Sequence, residues 1–426
     1  MKKRALFSLA SIAAAACLAC GCGGGGGGSV IILDGVNRTQ ASTVSVFGNR
    51  SDRYSLSVVE DTLQKFMSEN IIATYESARD VDYWQALDKR FATGNLDDIF
   101  WVERDRLLTM TRKGALADIS GVVNLNIFND FARSQLYGAD GNIYAVPTAI
   151  STYGLYVNYD LLENNGFKAK VPTNFENFKA ICEYFKGDTA PIICNNYSSL
   201  SSLILATGLY DTYCNANTAS ELKKYNADPT LLAEPLYAGI DFVYQLIDSG
   251  WIDIEKAAQT TYSGESELFA SGDYPFMIAG GWLSDTLEEK FNFNFKYGIY
   301  PFPVPERESI LVAQADLLSV KKGTNEKEAK ALVSLLTRSD TLLLLNNNQS
   351  RFSPLRVTNN NASVPLTPSA YSLYTNKYVV SADVRLRIPL DGYLSQCTDL
   401  ILFEHADAAT VKSCLYDLLS RGSADE

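Results

Sequence analysis

The sequence predicts an α/β protein of two lobes enclosing a central cleft, and three observations carry that expectation. The chain has 426 residues, more than one hydrophobic core usually organises. Its hydrophobic fraction of 46% is ample for a core in each lobe. From Val44 onward, period-two and period-3.6 hydrophobic patterns alternate, as they do where strands feed helices around mainly parallel sheets.

The N-terminus is set apart from this pattern. Lys2, Lys3 and Arg4 precede a short apolar run, Ala5 to Ala16, then Cys17, Leu18, Ala19, Cys20, Gly21 and Cys22. The run is too short for a mature membrane-spanning helix and reads as a secretory signal. Small residues before a cysteine resemble a bacterial lipobox, where the cysteine left at the new N-terminus carries the lipid. Leu18 and Ala19 favour Cys20 as that residue, and Gly21 makes Cys22 the alternative. Residues 1–22 are therefore assigned to signal and lipobox. Residues 23–41, opening with Gly23 to Gly28, form a flexible tether without side chains to pack.

Val44 and Val46 alternate with polar residues in a first strand ending at Gly48. Leu56, Val59, Leu63 and Phe66 then share one helix face. Ile71 to Tyr75 reads as a second strand, Trp84 to Phe91 as a second helix and Asp98 to Val102 as a third strand. Ligand-facing loops are expected at the carboxyl ends of such strands. Thr173 with Glu176 marks a capped helix start, and Leu232 to Ser249 is a further helix ending at Gly250. Pro275 to Ala279, Lys296 to Tyr300 and Ile310 to Ser319 read as strands. Asn325 to Arg338 reads as a helix with Thr324 as its N-cap.

Composition narrows the chemistry. The formal charge of −12 becomes −15 once Lys2, Lys3 and Arg4 are removed, with no basic stripe to offset it. That balance excludes nucleic acid as a partner. His405 is the single histidine, which removes histidine-based zinc sites, Ser/His/Asp triads and Cys/His dyads. Beyond the leader, Cys182, Cys194, Cys214, Cys397 and Cys414 are odd in number and lack CxxC spacing. The acid pair Asp97 and Asp98 suggests glycoside hydrolysis only superficially, because neighbours on a strand point to opposite faces. Neither a metal nor a cofactor is expected.

Several segments together resemble the family 1 extracellular solute-binding proteins, the maltodextrin-binding group of ABC importers. They are Asp98-Ile-Phe-Trp-Val102, Gly141-Asn-Ile-Tyr-Ala-Val-Pro147, Gly154-Leu-Tyr-Val-Asn-Tyr-Asp160, Gly272-Asp-Tyr-Pro-Phe-Met277 with Gly281-Trp282, and Ser353-Pro-Leu-Arg356. The resemblance implies a type II periplasmic-binding-protein-like fold, with crossings near Tyr153, Tyr300 and Leu345. Lobe I is then 42–152 and 301–345, lobe II is 153–300, and 346–426 belongs mainly to lobe II. It also implies a monomeric, non-enzymatic receptor that closes on its ligand and delivers it to a membrane permease.

By the same resemblance, Trp282 and Trp101 occupy ligand positions, where an indole face suits the apolar C–H face of a sugar. Glu103 is a hydroxyl-accepting carboxylate. Asn49, with Arg50 and Asp52, lies in the loop after the first strand. Asp316 replaces a glycine common in relatives, Arg351 precedes the Pro354 motif, and Tyr153 sits at the first crossing. Asn195, Asn196 and Tyr197 are weaker candidates. The expected ligand is a sugar or oligosaccharide. The alternatives are a peptide, polyamine or organic anion in the same fold, or an enzyme acting on surface polysaccharide.

Overall fold

The computed structural model describes residues 41–49, 53–68, 70–78, 80–138, 140–167, 172, 174–214, 218–261, 263–307, 311–346, 351–356, 379–381 and 386–422. The leader with its three cysteines, the glycine tether, Arg50, Asp52 and Thr173 lie outside these residues.

Nine strands are described: β1 (Ser42–Gly48), β2 (Ile71–Ser77), β3 (Ile99–Val102), β4 (Ala145–Asn158), β5 (Ile192–Ile193), β6 (Phe276–Gly280), β7 (Tyr297–Tyr300), β8 (Leu311–Val320) and β9 (Val379–Ser381). They hydrogen-bond in the order β2-β1-β3-β8-β4-β6-β5, with β7 on β4 and β9 on β8. The pairings β1–β2, β1–β3, β5–β6 and β8–β9 are parallel, whereas β8 runs antiparallel to β3 and β4, and β4 antiparallel to β6 and β7. The sheet is thus mixed rather than mainly parallel. The reason is that β4 carries the chain out of the first lobe and β8 carries it back, so the two must run in opposite directions.

Two separate cores flank this crossing. The first gathers Val44, Val46, Val59, Leu63, Ile99, Phe100, Leu317, Val320, Leu332 and Val333. The second gathers Phe178, Ile204, Leu236, Ile240, Trp251, Phe276, Leu394, Cys397 and Leu415. Phe302, Val304 and Val312 also belong to the second core. The return crossing therefore runs along β8 and not near Tyr300, because the proline-rich turn packs its apolar side chains on lobe II before the chain leaves. The last crossing is also later than Leu345: Leu355 packs in the first core and Phe352 bridges to Ile150, while Leu386 and Ile388 already lie in the second.

Two helix starts differ from the expected ones. The side chain of Asn174 caps the helix Phe175–Phe185 by accepting from the Asn177 N–H at 2.9 Å. Asn325, not Thr324, stands at the start of Glu326–Leu336. Its side chain donates to Thr43 O at 2.9 Å and Asp98 Oδ2 at 3.1 Å, tying the helix to the sheet instead of capping it.

In lobe II, the helices Ser199–Gly208 and Ala233–Asp248 cross at two glycines. A Cβ at Gly239 would lie 2.3 Å from Ile204 O, and one at Gly208 would lie 2.7 Å from Pro235 O. Helix propensity alone favours alanine at position 239 by about 1 kcal/mol. Backbone against backbone cannot yield as a side chain does, so overpacking dominates. Gly239→Ala is expected to lower unfolding free energy by about 1–3 kcal/mol in chemical denaturation; a stabilised variant would show that the helices can part at no cost.

Candidate functional site

The crossing strands form the floor of a cleft. Ser151 and Tyr153 on β4, with Gln314 and Asp316 on β8, sit at alternate positions and face the same side, as the two-residue period of a strand requires. Ile150 and Ala313 face the other side, where they pack with Ala132, Phe131 and Phe352. The cleft is lined by Asn49, Trp84, Glu103, Ser151, Tyr153, Tyr197, Trp282, Gln314, Asp316 and Arg351. Six of the seven chief candidates from the sequence, Asn49, Glu103, Tyr153, Trp282, Asp316 and Arg351, thus meet in one place, although they are separated by up to 302 residues of chain (Asn49 to Arg351).

The seventh, Trp101, does not join them. It is 1% exposed. Strand β3 is covered on both faces, and its neighbours β1 and β8 close both edges. The indole N–H donates to Thr148 Oγ1 at 2.9 Å, and the Tyr83 hydroxyl accepts from Trp101 N at 2.9 Å and donates to Trp101 O at 2.8 Å. Trp101 is a satisfied core residue.

Trp282 owes its position to the end of β6. Gly280 pairs with Tyr153, the Tyr156 hydroxyl donates to Gly280 O at 2.8 Å, and Gly281 N donates to Thr152 O at 2.7 Å. The indole then stands edge-on to the Tyr153 ring, centroids 5.0 Å apart at 85°. It folds back over Gly280, where a Cβ would come within 2.2 Å of the ring carbon Cζ2.

The acids of the cleft are engaged by arginines. Asp316 accepts from the Ser151 hydroxyl at 2.8 Å and pairs with Arg351 Nε at 3.2 Å, with side chains only 10% and 18% exposed. Glu103, in the turn between β3 and the helix Arg104–Arg112, accepts from Arg106 Nη1 at 2.7 Å. Asn49 Oδ1, just beyond β1, is buried without a hydrogen-bond partner among the described residues. Enclosure by the cleft, with the negative charge of Asp391 added, raises the Tyr153 phenol well above its ordinary pKa. It stays a neutral donor and acceptor.

Trp84 was not singled out from the sequence, where it reads only as part of a helix. Its neighbours Tyr83 and Leu87 are fully buried, so Trp84 sits at the edge of the helix's apolar stripe. A large aromatic at that edge is the signal that could have marked it. Of the weaker candidates, Tyr197 reaches the cleft, while Asn195 is 1% exposed and serves as scaffold. Asn195 Oδ1 accepts from Tyr197 N and Ser198 N at 2.9 and 2.8 Å, and its amide donates to buried Glu265 at 2.7 Å. The pair Asp97 and Asp98 is structural: Asp97 bonds Arg90, and Asp98 Oδ2 accepts from Ser45 N at 3.0 Å.

Past Tyr153 and Tyr197 the cleft opens into a chamber of about 450 Å³, walled by the helix Arg104–Arg112 of lobe I and by Ser198, Ser201, Pro389 and Asp391 of lobe II. Across it, Asp105 Oδ2 accepts from Gly392 N at 3.1 Å, at the start of the helix Leu390–Phe403. Aromatic rings, paired acids and hydroxyls from both lobes thus converge on one hinge.

These features define a two-lobed receptor with its binding site between the lobes. The chain belongs to the bacterial extracellular solute-binding protein family, whose sequence model matches residues 65–358. It is 23% identical over 265 residues to the maltodextrin-binding protein MdxE of Bacillus subtilis (strain 168), an alignment spanning 58% of this chain and 59% of that relative. The chitin oligosaccharide binding protein superposes with a TM-score of 0.72 at 17% identity, over 90% of this chain and 100% of that one. The GacH receptor of Streptomyces glaucescens, solved unliganded and with acarbose, gives 0.68 at 16% identity, over 90% and 99%. At such identities the solved structures establish the shared fold.

Gly280→Ala tests how Trp282 is placed. The added methyl is expected to displace the indole, shifting tryptophan emission, while the variant remains folded by far-UV circular dichroism; unchanged emission would mean that the ring does not depend on the glycine.

Proposed function

We propose that this chain is an extracytoplasmic solute-binding lipoprotein that captures a sugar or oligosaccharide by closure of its lobes and hands it to the permease of an ABC importer. The observation that carries this reading is the convergence of Trp84 and Trp282, from opposite lobes, on one cleft floored by hydroxyl and amide side chains. Indole faces suit the C–H faces of pyranose rings, and polar side chains fix the hydroxyls. The names of the relatives, a maltodextrin-binding protein, a chitin oligosaccharide binding protein and a receptor complexed with acarbose, point to the same ligand class.

The rival ligands fit less well. A polyamine needs uncompensated acids, whereas Glu103 and Asp316 are each engaged by an arginine. Glycoside hydrolysis needs two carboxyls free to face each other across the scissile bond, whereas Glu103 and Asp316 each face an arginine. The reading is therefore of a receptor without enzymatic activity. Ligand makes contacts to both walls only when the lobes are together, so it favours the closed form.

Export and anchoring rest on the N-terminal sequence. Lipidation is proposed at Cys20, with Cys22 the alternative, and Gly23 to Gly28 as the tether. No helix among the described residues is long and apolar enough to cross a membrane. The chain acts as a monomer with its permease as partner, the ATP-hydrolysing subunit being a separate polypeptide.

Thermal shift of the fragment from Ser29 onward, against sugars, amino acids, peptides and polyamines, tests this. Ligand at about 100 times its dissociation constant stabilises the fold by about 2.7 kcal/mol, and Trp282→Ala is expected to abolish the response to one carbohydrate group. A shift with a polyamine or peptide and none with any sugar would discard the carbohydrate assignment.

A further inference from the structure

We propose that Arg106 is a positioning residue for the cleft, holding the Trp84 ring and the Glu103 carboxylate in the arrangement a ligand meets. The proposal rests on the carbohydrate-capture reading for its ligand and on the side-chain geometry for its mechanism.

The guanidinium of Arg106 is engaged by two carboxylates and by an aromatic ring. Nε and Nη2 donate to Oδ1 and Oδ2 of Asp88 at 2.8 and 2.9 Å, a bidentate fork that fixes the plane of the group. Nη1 donates to Glu103 Oε2 at 2.7 Å. The guanidinium Cζ lies over the Trp84 ring, 4.7 Å from the centroid, within cation–π range. Trp84 and Asp88 are four residues apart on the helix Asp80–Ala92 and so share a face. Glu103 lies three residues before Arg106 at the other wall of the contact. One arginine thereby joins two lobe I elements and contacts two side chains that line the cleft, Trp84 and Glu103.

Burial works against the charge of Arg106, but the bonds from Asp88 and the field of Glu103 outweigh it and raise its pKa, so the guanidinium stays charged. A lysine cannot substitute: its ammonium is a point charge without the planar fork, and it cannot hold Asp88 bidentately while also standing over an indole. The contact differs from an ordinary surface ion pair, for which little energy is expected. Arg106 is 23% exposed, and its effect is read in the order of Trp84 rather than in stability.

Two measurements test it on the chain from Ser29 onward. Without ligand, acrylamide quenching of tryptophan emission is compared for wild type, Arg106→Ala and Arg106→Lys, each with and without Trp84→Phe. Both Arg106 variants are expected to raise quenching where Trp84 is present and to leave it unchanged in the Trp84→Phe background; equal quenching with and without Arg106 would overturn the proposal. With maltotetraose, chitotetraose and acarbose as probes, calorimetry is expected to show affinity falling about 10-fold in Arg106→Ala and in Arg106→Lys. In a Trp84→Ala, Glu103→Gln background, where nothing remains to be positioned, Arg106→Ala should cost less than about 2-fold more. The same loss in both backgrounds would make Arg106 a direct ligand contact and end the positioning role. A wild type that binds none of the three sugars would count against the carbohydrate reading, and the quenching comparison then decides by itself whether Arg106 orders Trp84.

Discussion

The backbone pairing of β4 with β8 is the constraint on which the rest depends. Their register runs from Ala145 opposite Ser319 to Tyr153 opposite Val312, with an irregularity between Pro147 and Ala149. One end of this ladder lies in the first core and the other in the second, so the two lobes share a single hydrogen-bonded spine. Because side chains alternate along a strand, the same pairing sends Ser151, Tyr153, Gln314 and Asp316 into the cleft and Ile150 and Ala313 into the small apolar cluster behind it. The link between the lobes and the floor of the cleft are thus one structural element. A change in the angle between the lobes acts directly on the groups that line the cleft.

The chemistry of the cleft follows from charges that are already compensated. Asp316 is held by Arg351 and Ser151, and Glu103 by Arg106. An ionised carboxylate so held still has lone pairs to accept from a hydroxyl, yet it does not demand a cationic ligand. Removing one partner of the Asp316–Arg351 pair would leave a largely desolvated charge uncompensated, which is costly. The aromatic groups supply the apolar complement, and each is aimed by its backbone or its neighbours: Trp282 by Gly280 and the Tyr153 ring, Trp84 by Arg106. Affinity in the micromolar range corresponds to about −8 kcal/mol, which stacking contacts and a few hydrogen bonds in such a cleft can supply.

Much of this was legible in the sequence where local physics and tertiary structure agree. Val44, Val46, Val59 and Leu63 have the periodicity of a strand and a helix and all lie in the first core. The motif residues on either side of Tyr153 and Trp282 fall on β4 and at the end of β6, which is why these two side chains could be placed in the cleft from sequence. Trp101 misled because a tryptophan next to acids at a strand's end looks the same whether its face is covered or open, and only the neighbours β1 and β8 decide that. Trp84 carries no such local signal, its exposure being set by a helix edge and by Arg106 from another element. The lobe boundaries lie later than Tyr300 and Leu345, since prolines and asparagines mark turns but do not say on which core the following apolar residues will pack. Phe302, Val304 and Leu355 settle that by their contacts.

The central claim is that ligand is bound between lobes that come together on it, and small-angle X-ray scattering of the soluble chain, with and without a saturating oligosaccharide, tests it most directly. The account predicts a smaller radius of gyration with ligand, reversed by dialysis and absent in Trp282→Ala. Saturation demonstrated by calorimetry without any change in the scattering profile would contradict it, and would mean that the ligand is held by one lobe alone.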